Sequence, residues 1–329
     1  MTVATQLELL DLRHFSARQL RPLLEQEARL WKKRLRWDYQ SSTELLLQYL
    51  DSRVLPGFVA LDRGRVCGFT FCVYEGHKAV VGDAYASADD AASSLAISTT
   101  LLQHLLEMLL HSPNIERIES QLLLYDSGVI DGVFAASGFE MFPRKFMEWN
   151  LQEDTLSPLE LHSWPEEIEL SRWSAGDYHY AAELIHLSYA DHIDAMVNDQ
   201  YRSLHGSLRF LHNIVRFPGC GIFDANSSWV LRDKSSQALV GIVLSSDVGE
   251  KVAHITQLCV APEYRGHGLA KRLMSHCAAN LRQIGFNAIT LTVTEANLEA
   301  MRLYEKLGFV TRHSFEAMVY DQTLTAKRD

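Results

Sequence analysis

Residues 258–274 read "LCVAPEYRGHGLAKRLM", and the reading of this stretch decides the fold. Apolar residues alternate at Leu258 and Val260 as in a strand, and Pro262 ends the pairing because it has no backbone N–H. Arg265-Gly266-His267-Gly268-Leu269-Ala270 then turns directly into a helix whose apolar face runs through Leu269, Leu273, Cys277 and Leu281. A glycine-rich turn at a helix start presents unpaired N–H groups beside the positive end of the helix dipole, which makes a place for an anion. Gly266 and Gly268 admit dihedrals closed to other residues and let a phosphate approach the chain, while the small Ala270 keeps the first helical turn open. A diphosphate suits that arrangement. A dinucleotide-binding turn does not describe it: G-x-G-x-x-G needs glycine where Lys271 stands, and an acidic residue about 20 positions on, where Thr290 stands.

A second cluster follows, "VTEANLEAMRLYEKLGF" (293–309). Here a strand end gives way to Asn297, placed to cap a helix, then to Ala300 and Tyr304 on one helix face at i, i+4, then to a Gly308 stop. The two motifs in this order resemble the GNAT-type N-acetyltransferases. In that family an Arg/Gln-x-x-Gly-x-Gly/Ala turn binds the CoA diphosphate, and Arg265, Gly268 and Ala270 match its defined positions. Its Asn…Ala…Tyr…Gly-Phe pattern is matched by Asn297, Ala300, Tyr304, Gly308 and Phe309. The resemblance is strict over residues 253–321 and extends in element order over the second half of the chain.

The resemblance implies acetyl-CoA as acyl donor, a primary amine in a small molecule or peptide as acceptor, and direct transfer within a ternary complex. It further implies that the strand at Leu258, Cys259 and Val260 holds the pantetheine arm. Arg265, Gly266, His267, Gly268, Leu269 and Ala270 would hold the diphosphate, with Asn297 and Tyr304 completing the cofactor site. Tyr304 would also protonate the departing thiolate. His254 and Glu295, on strands flanking the expected cleft, are candidates for the base that takes the amine's proton; Gln257 is not, because an amide does not titrate. The loop "YADHIDAMVNDQYRSLHG" (189–206) carries Asp191, Asp194, Asp199 and Tyr201, which suit a cationic amine. The competing reading is a non-catalytic CoA-binding or scaffolding protein, which would have no use for Tyr304.

The phrase "LYEKLGFV" near 303 has a counterpart in "VFAASGFE" near 133, with the Gly-Phe pairs at 138–139 and 308–309. Strand-like runs fall into step around both: "RIESQLLLYD" (117–126) with "AITLTVTEAN" (288–297), and "KFMEWNL" (145–151) with "FEAMVYD" (315–321). The fold expected is therefore α/β, two tandem GNAT-like domains, each a mixed, mostly antiparallel twisted sheet flanked by helices. Residues 1–152 form the first, 153–166 an acidic, proline-containing linker and 167–329 the second. In the first repeat the diphosphate turn would fall in "ADDAASSLAISTT" (88–100), where no Arg-x-x-Gly-x-Gly survives and Asp89 and Asp90 repel phosphate. Ser127 stands where the second repeat has Asn297, and Phe134 where it has Tyr304. The first domain is expected to be degenerate as an enzyme.

Composition bounds the partners. With 329 residues, 47% hydrophobic and 22% charged, the chain has the makings of two packed cores. A net charge of −10 excludes a general affinity for nucleic acid or anionic membranes. No stretch approaches the apolar length of a membrane span and the N-terminus lacks a cationic leader, so a cytoplasmic location is expected. Five cysteines without a C-x-x-C pair indicate neither a disulfide framework nor a zinc site. A second copy of the chain is the remaining candidate partner, as a homodimer. The segment 24–40, with Trp31, Trp37 and Tyr39 among basic residues, reads as an amphipathic helix or an interaction surface.

Overall fold

The computed structural model describes residues 7–152, 164–189 and 191–322. In chain order it has β1 (Leu7–Asp11), α1 (Ala17–Leu35), α2 (Gln40–Asp51), β2 (Gly57–Asp62), β3 (Arg65–Glu75), β4 (Lys78–Ala86), α3 (Ala91–Leu110), β5 (Arg117–Gln121), α4 (Asp131–Ala136) and β6 (Glu140–Asn150). The second series is β7 (Ile168–Arg172), α5 (Tyr178–Tyr189), α6 (Asp194–Val197), α7 (Leu204–Arg216), β8 (Ile222–Phe223), β9 (Trp229–Asp233), β10 (Leu239–Asp247), β11 (Val252–Val260), α8 (Leu269–Gln283), β12 (Ala288–Thr294), α9 (Leu298–Leu307) and β13 (Val310–Asp321). Among the described residues no helix is long and apolar enough to cross a membrane. Most of the expected linker, residues 153–163, lies outside the described residues.

The chain divides into two compact units. One comprises residues 1–35, 39–143 and 315–329; the other comprises residues 36–38 and 144–314. In the first, β1, β2, β3 and β4 pair antiparallel in succession, β4 pairs β5 in parallel, and residues Ala317–Asp321 of β13 complete the sheet against β5. In the second, β7, β9, β10 and β11 pair antiparallel, β11 pairs β12 in parallel, and residues Arg144–Asn150 of β6 complete the sheet against β12. Sequence order alone assigns the run at 145–151 to the first repeat and that at 315–321 to the second. The packing assigns each to the other unit, because apolar alternation specifies a strand and its buried face but not the strand it pairs with. Met318 is buried in the first core and Met147 and Trp149 in the second.

The two sheets repeat one irregularity. Between β10 and β11, Leu244 faces Gln257 while Ser245 faces Ile255, so Thr256 is an extra, bulged residue. Between β3 and β4, Phe71 faces Asp83 while Cys72 faces Val81, leaving Gly82 as the extra residue. A side chain at Gly82 would collide with the Phe71 ring, its Cβ falling 2.1 Å from Cε2. Just at the bulges the parallel pairing stops: β11 and β12 are in register from Val252↔Ala288 to Ile255↔Leu291, and β11 then continues to Val260 without a partner on that edge among the described residues. Each Gly-Phe pair closes its helix in the same way. Phe309 N bonds Tyr304 O at 3.0 Å and Phe139 N bonds Phe134 O at 3.1 Å, with Gly308 and Gly138 both at positive φ.

The segment at 24–40 is, for the most part, the amphipathic helix α1. It buries Leu20, Leu24, Glu27 and Trp31, and Trp31 stacks on Tyr39 with ring centroids 4.4 Å apart.

Candidate active site

The bulge at Thr256 and the end of pairing at Ile255 leave the β12-side edge of Leu258–Val260 open. Its carbonyls face side chains instead of a strand: the Tyr189 hydroxyl donates to Leu258 O at 2.8 Å, and Arg265 Nε donates to Val260 O at 3.2 Å. Arg265 Nη2 also donates to Ser188 O at 3.0 Å. The Arg265 side chain thus ties the turn to the end of β11 and to α5. Cys259 is buried, and burial pushes its thiol up to about 12, so it stays protonated.

Gly266 and Gly268 take φ of 81° and 73°, the left-handed region that favours glycine. A Cβ on either would meet nothing within 4 Å, so the glycines serve the backbone path and leave open space above it. Gly268 is the N-cap of α8 and has no side chain to offer, so among the described residues no side-chain cap serves the first helical amides. Leu269 fixes that end of the helix in the core, Ala270 is half-buried beside it, and His267 is exposed with the glycines. An exposed, uncapped helix start with room above its amides fits a diphosphate.

Tyr304, on α9, is 8% exposed, and its hydroxyl makes no hydrogen bond to the protein among the described residues. Its ring packs edge-on to Phe309 with centroids 5.5 Å apart. Burial raises the phenol well above its ordinary range, and the charge of Asp194 raises it further, so the proton stays on. Asn297 caps α9, its Oδ1 accepting from Ala300 N at 3.2 Å. Its Nδ2 lies 3.4 Å from Asp194 Oδ2, and Thr294 Oγ1 donates to Asp194 Oδ1 at 2.5 Å. Burial alone would raise the Asp194 carboxyl; the bonds from His192 and Thr294 and the Arg144 charge outweigh it, and the group is held below the usual carboxylate range.

The two base candidates read from the sequence lie in different surroundings. His254 is enclosed, its Nδ1 3.0 Å from Thr290 Oγ1 and its ring between Trp37 and Phe146. Burial, with the Arg144 charge, pushes it down to about 3, so it stays neutral and is a feeble base. Glu295 is exposed and pairs with Lys145 at 3.4 Å. Arg144 belongs to the same site yet carries no motif; it arrives on the strand that sequence order assigns to the first repeat. Asp194 was legible only as one acid among several in its loop.

The first unit fills the matching positions with its own side chains. Asp90 caps α3, accepting from Ser93 N at 2.8 Å and from Ser93 Oγ at 2.7 Å, which places a carboxylate at that helix start. The Tyr125 hydroxyl donates to Ala84 O at 2.9 Å on the edge of β4 beyond its bulge, as the Tyr189 hydroxyl does to Leu258 O in the second unit, so this feature is common to both. Phe134 is fully buried, edge-on to Phe139. Ser127 Oγ donates to Glu316.

Comparison with known proteins agrees with this geometry. The model of the acetyltransferase (GNAT) family matches residues 192–309, so the second unit carries a GNAT acetyltransferase domain. The chain as a whole has two tandem GNAT folds: it superposes on a tandem GNAT protein from the clavulanic acid biosynthesis pathway with a TM-score of 0.60 at 15% identity, over 96% of this chain and 99% of that one. In sequence it is 33% identical over 96 residues, 27% of its length, to N-alpha-acetyltransferase 40 of Saccharomyces cerevisiae. It is 48% identical over 59 residues, 18% of its length, to the mycothiol acetyltransferase of Thermobispora bispora. The matched segments span 33% and 20% of those two relatives.

Proposed function

We propose that the chain is an acetyl-CoA-dependent N-acetyltransferase that works through its second unit, with donor and amine acceptor bound together. The acceptor is a primary amine on a small molecule or peptide. One observation carries the reading: a buried tyrosine keeps a firmly protonated hydroxyl, unpartnered among the described residues, on the helix that follows the open strand edge and the uncapped glycine turn. A module that only bound CoA would have no need of that proton.

Acetyl-CoA supplies an acyl group activated as a thioester. The amides at Gly266–Ala270 receive its diphosphate, and the edge of Leu258–Val260 lines the pantetheine arm. Tyr304 gives its proton to the sulfur as the C–S bond breaks. It regains one from the nitrogen, which loses that proton as the C–N bond forms. General acid catalysis of this kind contributes roughly 10²–10⁴ in rate.

The first unit we read as degenerate for this chemistry. Asp90 puts a negative charge where the diphosphate would sit, and Phe134 has no proton to give.

Calorimetric titration of acetyl-CoA tests both readings. One site per chain is expected, abolished by Gly268→Glu, followed by CoA release when amines are added. Two sites would overturn the reading of the first unit; no site would overturn the enzyme.

A further inference from the structure

Gln257 cannot act as the base, because an amide does not titrate, but its N–H groups are hydrogen-bond donors. It follows the bulge at Thr256 and precedes the open edge of Leu258–Val260. The residue is 4% exposed, and its Oε1 accepts from the Tyr201 hydroxyl at 3.3 Å. Tyr201 stacks on Tyr189 with ring centroids 4.9 Å apart, and the Tyr189 hydroxyl donates to Leu258 O at 2.8 Å on that same edge. The amide is thus held against the open edge by its oxygen, which turns its nitrogen away from Tyr201. Nε2 is buried and has no hydrogen-bond partner among the described residues.

A buried donor left unpaired costs about 1–3 kcal/mol, so an orphan of this kind calls for an acceptor. Cys259, two residues on and on the same strand face, does not supply one: its thiol stays protonated, and thiol sulfur is a weak acceptor. Nor is Gln257 alone. Ser188, in the last turn of α5 and 6% exposed, has an Oγ without a partner among the described residues, and so has the Tyr304 hydroxyl. The Cys259 thiol lies beside Ser188 and Gln257 and also bears on Tyr304, so the three unused donors gather round one stretch of β11. A thioester can use them together, because its carbonyl oxygen and its sulfur sit on the same carbon: the donor to one and the acid for the other must reach into one small space.

We infer that the Gln257 side-chain amide is a catalytic hydrogen-bond donor to the acyl carbonyl oxygen of acetyl-CoA and holds the oxyanion that forms when the amine adds. The inference rests on the acetyltransferase reading. The amine lone pair forms the C–N bond, the carbonyl π pair moves onto oxygen, and Nε2–H holds that charge. The oxygen pair then re-forms the carbonyl as the C–S bond breaks; sulfur takes the Tyr304 proton and nitrogen gives up its own. Tyr201 is a positioning residue, which touches no reacting atom and fixes the end of the amide that faces the acyl group. Donors set in advance for developing charge need no reorganisation during the reaction, and loss of one lowers kcat by roughly 10²–10³-fold.

The test is the infrared band of an isotope-labelled acetyl carbonyl in acetyl-CoA bound to wild type, Gln257→Leu and Gln257→Glu, with acetyl-CoA titration of each protein and CoA release measured with tyramine, spermidine and an alanine-started tetrapeptide. A hydrogen bond weakens a C=O bond, so the band should lie at lower frequency in wild type than in either variant. Turnover should fall about 10²-fold in kcat for Gln257→Leu, with acetyl-CoA affinity close to that of wild type. Gln257→Glu keeps the size of the side chain and the oxygen for Tyr201 but sets a negative charge against the carbonyl oxygen, so it should be at least as slow. The spectrum needs no acceptor and decides the role of Gln257 whichever amine is used. If Gln257→Leu does not bind acetyl-CoA, the isosteric Gln257→Glu carries the comparison. A band at one position in all three proteins overturns the inference and leaves Nε2 to an ordered water. A Gln257→Glu variant as fast as wild type overturns it too, since the residue would then serve the amine. A wild type that binds no acetyl-CoA would instead overturn the acetyltransferase reading itself.

Discussion

Asn297 holds Asp194 and helix α9 in one geometry: its Oδ1 accepts from Ala300 N at 3.2 Å while its Nδ2 lies 3.4 Å from Asp194 Oδ2. The helix so capped carries Tyr304, whose hydroxyl feels the Asp194 charge. A residue whose sequence signature is that of an ordinary N-cap thus fixes the distance between a negative charge and a proton donor. Burial, with that charge added to it, keeps the proton on Tyr304.

Tyr304→Phe removes that proton while keeping the ring and its packing on Phe309. Turnover should fall by about 10²-fold or more, with acetyl-CoA affinity within error of wild type. Because the phenol is raised, it remains an acid throughout the neutral and mildly alkaline range, so it contributes no fall in kcat below about pH 10. Equal turnover by the variant, measured as CoA release, would remove Tyr304 from the acid role.

Gly308 closes α9 at a φ of 103°, and a Cβ there would come within 3.1 Å of Trp149 Nε1. Gly308→Ala therefore meets both backbone strain and a crowded indole, and should cost about 1–3 kcal/mol. Chemical denaturation of the full chain reads the loss. An unchanged midpoint would mean that the Trp149 ring yields freely.

The glycine turn, the Asn297 cap and Tyr304 were legible because each is local: spacing, cap and stop lie within one helical turn or two. The repeat was legible for the same reason, since "ASGFE" and "KLGFV" carry the same C-cap. Strand membership was not. Residues 146–149 and 315–319 are buried in unbroken runs, which marks strands covered on both faces without naming their partners, and only the completed sheets show which unit each joins. Arg144, Tyr189 and Asp194 share this difficulty. They meet at the site from β6, α5 and α6, and nothing in their neighbours' spacing announces the convergence.

Asp90→Ala asks whether the first unit's helix start is merely blocked or has lost more. The Ser93 amide, which lowers the Asp90 carboxyl by bonding it, would lose its acceptor, and α3 would fray at its N-terminus. Acetyl-CoA stoichiometry should nevertheless remain one per chain, because the Arg-x-x-Gly-x-Gly turn is missing as well. A second site gained by this single change would show that the carboxylate alone keeps the first unit empty.

Glu27 and Asp83 form a buried acid pair in the first unit. Glu27 Oε1 accepts from Trp31 Nε1 at 3.3 Å and Asp83 Oδ1 from Ala84 N at 2.8 Å, which leaves Glu27 Oε2 and Asp83 Oδ2 with only each other. A proton shared between them would satisfy both. Burial raises both carboxyls, Glu27 the more strongly because the Asp83 charge adds to it. The folded chain therefore keeps a proton that the unfolded chain releases above about pH 4.3. Stability must fall as the pH rises from there toward the folded value, by up to about 1.4 kcal/mol per pH unit for the one proton. Glu27→Gln supplies a permanent N–H donor for Asp83 without a titrating proton. Its melting temperature should gain on wild type steadily between about pH 5 and pH 8, the window that lies above the unfolded carboxyl range. Parallel pH profiles for the two proteins would show that the pair shares no proton.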